Sequence, residues 1–91
     1  MKDLMIDIET LDTATTSAVL SIGAVYFDRR TGETGKKFYA RVLFSDAVTL
    51  GTISPSTMKW WSEQSEEARN EAFSGTQPVN KVCSEFAEFI E

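Results

Sequence analysis

The spacing of hydrophobic and polar positions changes along the chain, and each change marks an element. From residue 3 to 9 the pattern alternates, placing Leu4, Ile6 and Ile8 on one face of a strand and Met5, Asp7 and Glu9 on the other. A polar loop over residues 12–17 follows. Residues 18–27 are almost continuously apolar, broken only by Ser21 and Gly23, which predicts an inner strand buried on both faces. Ser21 and Gly23 share the face of Val19 and Val25, so a neighbour can approach closely there. Residues 28–35 have the Gly, Asp and Thr content of a hairpin loop, and residues 37–44 alternate as a third strand, antiparallel to the second.

Beyond residue 44 the period becomes helical. Residues 45–53 read as a connection. Ser54 and Pro55 then form a helix start, the serine as N-cap and the proline in the first turn, and this short helix carries Met58, Trp60 and Trp61. A second helix is predicted from Ser65 to near Gly75, with Glu66 and Glu67 favourably placed beside its N-terminus. Pro78 opens a third, in which Val79, Val82, Cys83, Phe86, Phe89 and Ile90 recur at three-to-four spacing and form a wide apolar face, with Glu88 and Glu91 at its end. That face is read as core, with Cys83 a small buried hydrophobe.

Ninety-one residues suffice for one small domain and exclude a second. Apolar content of 42% and charged content of 25% are ordinary for a globular chain, so disorder is not expected. The one cysteine makes no internal disulfide, and the absence of histidine removes zinc-type Cys/His clusters. With no apolar run of membrane-spanning length and no cleavable signal, the chain reads as a soluble cytoplasmic protein. A net charge of -5 argues against nucleic-acid binding through overall basicity. Its distribution is uneven, however. Arg29, Arg30, Lys36, Lys37 and Arg41 cluster on the predicted hairpin, where they keep an edge strand soluble and can attract phosphate.

The chemistry concentrates in the first strand, Leu4-Met5-Ile6-Asp7-Ile8-Glu9-Thr10. Two carboxylates on one face at the end of an apolar strand repel each other and are costly to keep dry, so they call for a cation. Oxygen-only ligation suits Mg²⁺ or Mn²⁺, which use one or two carboxylates together with waters and substrate phosphates. Asp3 shares the face but lies too far up the strand to reach the same ion. The adjacent indoles Trp60 and Trp61 point in different directions; one belongs to the core, and the other is free to stack on a base. The sequence alone does not say which, and Trp60 is carried forward as the substrate-binding candidate.

The segment Met5-Ile6-Asp7-Ile8-Glu9-Thr10 resembles the first motif of the DEDD family of 3′-to-5′ exonucleases, and residues 17–25 resemble that family's second strand. The Trp-Trp segment of residues 54–61, with residues 66–69, is similar to a phage-type, exodeoxyribonuclease VIII-like subgroup. The resemblance implies an α/β, ribonuclease H-like fold: a three-stranded antiparallel sheet plus helices, truncated before the later parallel strands. Residues 1–91 would then be the N-terminal part of a single exonuclease domain. It implies Asp7 and Glu9 as catalytic metal ligands and Thr10 and Leu11 beside the terminal nucleotide. Two Mg²⁺ or Mn²⁺ ions roughly 4 Å apart would serve hydrolysis at the 3′ end of single-stranded DNA or RNA, releasing nucleoside monophosphates.

The family site also needs two further aspartates and an orienting histidine or tyrosine. Asp12, Asp28 and Asp46 stand upstream of where those motifs belong. The chain alone is therefore expected to be inactive, and the open edge of its first strand is expected to drive a homodimer or higher assembly. Two other classes compete with this reading. An aspartyl-nucleophile phosphatase would have aspartate as its second acid and a parallel fold, and the predicted antiparallel hairpin argues against it. A non-catalytic remnant that only folds or binds a partner predicts no effect of Asp7→Ala on any property.

Overall fold

The computed structural model describes residues 3–90; Met1, Lys2 and Glu91 lie outside the described residues. Three strands, β1 (Asp3–Thr10), β2 (Val19–Phe27) and β3 (Thr34–Arg41), form an antiparallel sheet in the order β1-β2-β3. Four helices follow: α1 (Phe44–Leu50), α2 (Pro55–Ser62), α3 (Glu66–Phe73) and α4 (Val79–Phe89). The fold is α/β. None of these helices is long and apolar enough to cross a membrane.

Directly opposed residues of an antiparallel pair share a face, so the register defines both faces of the sheet. On one, Leu4, Ile6 and Ile8 pair with Tyr26, Ala24 and Ile22, and Ala24 and Ile22 pair in turn with Phe38 and Ala40. Helix α4 packs here: Phe89 lies 5.2 Å from Tyr26 and 5.5 Å from Phe38, and Phe86 lies 5.4 Å from Phe38, ring centre to ring centre. The other face carries three rows across the strands. They run Met5, Val25, Lys37; Asp7, Gly23, Tyr39; and Glu9, Ser21, Arg41.

The core forms where the strand ends meet the helices. Leu11, Leu20, Val42 and Val82 are fully buried, joined by Ala18, Ala47, Trp61 and Ala72. Each large aliphatic among them contributes roughly 1.5–3 kcal/mol by leaving water. Two glycines let the backbone close on this core. A Cβ on Gly75 would lie 2.4 Å from the Val42 carbonyl oxygen, and one on Gly51 2.3 Å from Ala18 Cα.

Several elements depart from their expected limits. Residues 44–50 are helical instead of a plain connection. Helix α1 has only seven residues and Leu43 supplies no side-chain cap, so the sequence offers no start signal. Strand β3 begins at Thr34, opposite Phe27, and ends at Arg41, because the apolar alternation that continues through Val42 belongs to an isolated bridge to Gln77. The turn is correspondingly tight, closed by Asp28 N–H to Glu33 O and Gly32 N–H to Asp28 O, with Gly32 at φ 76°.

Burial differs as well. Ile6 and Ile8 are half exposed because the helices cover β2 and β3 and leave the β1 side of that face open. In α4, Cys83 and Ile90 are exposed, so the apolar stripe is narrower than its spacing implied, with Val82 buried and Phe86 and Phe89 partly so.

Candidate functional site

Asp7 and Glu9 stand two residues apart on the same face of β1, opposite Gly23 and Ser21. Asp7 is exposed and Glu9 half-buried. Burial raises the Glu9 carboxyl above its ordinary value of 4.5, and the Asp7 charge beside it raises it further. Among the described residues neither acid is in an ion pair; the two salt bridges there are Arg29 to Asp3 and Arg41 to Glu71. Mutual repulsion without a basic partner is the electrostatic condition that a cation relieves.

The pairing shifts just past Glu9. The register steps from Glu9 opposite Ser21 to Thr10 opposite Val19, so Leu20 of β2 is the extra residue of an irregularity in the ladder at the end of β1. Thr10 turns its hydroxyl to the Asp12 carbonyl oxygen at 2.6 Å, while its own carbonyl accepts from Trp61 Nε1 at 2.9 Å. Leu11 enters the core completely. Its side chain, expected beside a nucleotide, is instead closed off in the core with Ala18, Leu20 and Trp61.

The two indoles divide their roles. Trp61 is 5% exposed and meets Phe73 edge-on at 5.5 Å, whereas Trp60 is 51% exposed and packs edge-on against Trp61 at 5.0 Å. Trp61 is thus the core indole. It ties α2 to the end of β1, and Trp60 keeps a free surface in the same neighbourhood.

Other acids already hold structural posts. Asp3 makes a two-point contact with Arg29 at 2.6 and 3.0 Å, which holds its carboxyl below its ordinary 3.8. Asp12 accepts from the Thr52 hydroxyl at 2.6 Å and from Thr13 N–H at 2.7 Å, and these bonds lower its pKa. Asp28 accepts from Arg30 N–H inside the hairpin turn, and Asp46 accepts from Val79 N–H at the start of α4. Among the described residues no group of three or more Asp, Glu, Cys or His is arranged to hold a metal ion. A hollow of about 590 Å³, lined by Glu66, Glu67, Asn70, Glu71 and Ser74, lies along the solvent-facing surface of α3.

One residue next to the site escaped the sequence reading. Tyr39 lies in the same cross-strand row as Asp7, its ring against Gly23, and its hydroxyl donates to Glu71 Oε1 at 3.0 Å. Burial first, and the Glu71 bond second, raise its pKa above 10.0. The only sequence signal was its place in the alternation of β3, two residues beyond Lys37 on the same face.

The family model for the Rv2179c-like 3′-5′ exoribonuclease domain matches residues 2–91, and the chain belongs to that family of 3′-to-5′ exonucleases. No curated protein and no solved structure matches it.

Proposed function

We propose that this chain carries the first half of a two-metal site for 3′-to-5′ hydrolysis of single-stranded RNA, on a ribonuclease H-like framework of the DEDD type. The observation that carries the reading is the Asp7 and Glu9 pair: same face, no basic partner among the described residues, and Glu9 held above its ordinary pKa by burial and by Asp7. Family membership supports RNA as the substrate. Similarity to phage-type enzymes adds the Trp60-Trp61 segment.

The pair fits Mg²⁺ or Mn²⁺, which need only one or two carboxylates and fill the remaining positions with water and phosphate oxygen. Bound there, such ions supply charge that stabilises both the attacking and the leaving oxygen of a phosphodiester. Asp7 and Glu9 would hold them. The Trp61 bond to the Thr10 carbonyl keeps the end of β1 in place, so the two carboxylates keep a fixed relation to the chain that follows. Thr10 and the exposed Trp60 form the surroundings of the terminal nucleotide, and Leu11 anchors the chain behind them, its N–H donating to the Ala18 carbonyl and its own carbonyl accepting from Ser54 N–H. Two carboxylates alone make a weak site, so full turnover needs further oxygen ligands beyond this pair.

The open edge of β1, flanked by exposed Met5, Ile6 and Ile8, is proposed to pair with a second copy of this chain. The compartment is proposed to be cytoplasmic. Incubation of 3′-labelled single-stranded RNA with Mn²⁺ tests the main reading. Any cleavage by the wild type should release mononucleotides from the 3′ end and disappear in Asp7→Ala; equal cleavage by both proteins overturns the assignment.

A further inference from the structure

The three-row face of the sheet is open beyond the acid pair. A groove of about 400 Å³ runs there, lined by Met5, Asp7, Gly23, Val25, Lys37 and Tyr39. It is mostly apolar and has one acid and one base at its rim. Met5 and Tyr39 are 59% and 58% exposed, so both outer strands present large apolar surface on this face.

Its geometry suits a nucleobase. Asp7 and Tyr39 are separated by one strand, so their backbones lie roughly 10 Å apart, and Gly23 leaves the floor between them without a side chain. The Tyr39 hydroxyl is anchored by Glu71, which fixes the ring before anything binds and lowers the entropic cost of stacking. Lys37, exposed and one row further along β3, places an ammonium where a backbone phosphate would run. α3 caps the Arg41 end of the face through Glu71 and Ser74, so the groove opens away from it, toward Met5 and Lys37.

Resting on the exonuclease reading above, we infer that this groove seats a nucleotide of single-stranded RNA, its base stacked on Tyr39 over Gly23 and a phosphate on Lys37. The strand then passes Asp7 and Glu9 with its register set by the stacked base. Tyr39 and Lys37 are substrate-positioning residues. The apolar lining takes any base face, so the groove selects unstacked single strands over duplex without choosing a sequence.

The test uses a single-stranded RNA octamer with 2-aminopurine at its 3′ end, in EDTA so that nothing is cleaved. The wild type should quench the fluorophore on binding. Tyr39→Ala should weaken binding about tenfold or more and abolish the quench, while Tyr39→Phe, which keeps the ring but loses its Glu71 anchor, should keep the quench with a smaller loss of affinity. Lys37→Ala should flatten the plot of log affinity against log salt by about 0.7. Gly23→Val fills the floor, its Cβ at an ordinary contact distance of 3.7 Å from the Asp7 carbonyl oxygen and the Tyr39 ring, and should also lose the quench.

If Tyr39→Ala and Gly23→Val bind and quench like the wild type, or if the wild type binds no RNA, the inference is overturned. If Asp7→Ala cleaves as well as the wild type while the Tyr39-dependent quench persists, the exonuclease reading falls and the groove stands.

Discussion

Replacing Trp61 by phenylalanine probes the joint that holds the acid pair. The indole is 5% exposed, touches Phe73 and Trp60 edge-on at 5.5 and 5.0 Å, and donates to the Thr10 carbonyl at 2.9 Å. Phenylalanine keeps an aromatic ring but removes the donor, leaving a part-buried carbonyl without that partner at a cost of about 1–3 kcal/mol. The lost ring area and the resulting gap bring the expected total to about 2–4 kcal/mol. Trp61→Ala should cost about 3–5 kcal/mol, a large part of the stability of a domain this small.

With a urea dependence of about 1 kcal/mol per molar, Trp61→Phe should lower the denaturation midpoint by roughly 2 M or more, followed by far-ultraviolet circular dichroism. Trp60→Phe, at a half-exposed position, should stay within about 0.5 kcal/mol of the wild type. Equal effects of the two substitutions, or a Trp61→Phe midpoint indistinguishable from wild type, would refute the assignment of Trp61 as the tie between α2 and β1.

Three further outcomes follow from the packing and the charges. Gly75→Ala must push against the Val42 carbonyl, since its Cβ would lie 2.4 Å from that oxygen, and should lower stability by about 1–3 kcal/mol in thermal melts, whereas Gly23→Ala should cost less. Asp3 has a folded pKa below its ordinary 3.8 because of Arg29, so its stabilising contribution is complete above that value and is lost as pH falls through the folded pKa. The stability difference between wild type and Asp3→Asn should therefore be present at pH 7 and vanish in urea titrations carried out well below pH 3.8. Light scattering after size exclusion should report a dimer or larger for the wild type and a monomer for Ile6→Lys/Ile8→Lys; a well-folded wild-type monomer contradicts pairing through β1.

The strands and three of the helices were legible because their signals are local. Alternation marks β1, the near-continuous apolar run marks β2, and Ser65 caps α3 as its position suggests, accepting from Ala68 N–H. Ser54 occupies its N-cap position but shares its hydroxyl with Ser56, so the position was readable and the bond was not. What the sequence hid is tertiary. Helix α1 has no cap, the register shift that leaves Leu20 unpaired beyond Glu9 depends on how β1 and β2 align, and the exposure of Cys83 depends on which side of α4 meets the sheet. Asp7 and Glu9 were readable as a pair because the period of a strand puts them on one face. Tyr39 was not, because its place beside Asp7 comes from the register of two hairpin partners that only the folded sheet aligns.

Manganese binding followed residue by residue tests the central claim most directly. Substoichiometric Mn²⁺ added to isotope-labelled protein should broaden the amide resonances of Asp7 and Glu9 and of their cross-strand partners Gly23 and Ser21, and Asp7→Asn or Glu9→Gln should abolish that pattern. Broadening that survives both substitutions, or that centres on Glu66, Glu67 and Glu71 of α3, would contradict the assignment of the β1 pair as the metal site.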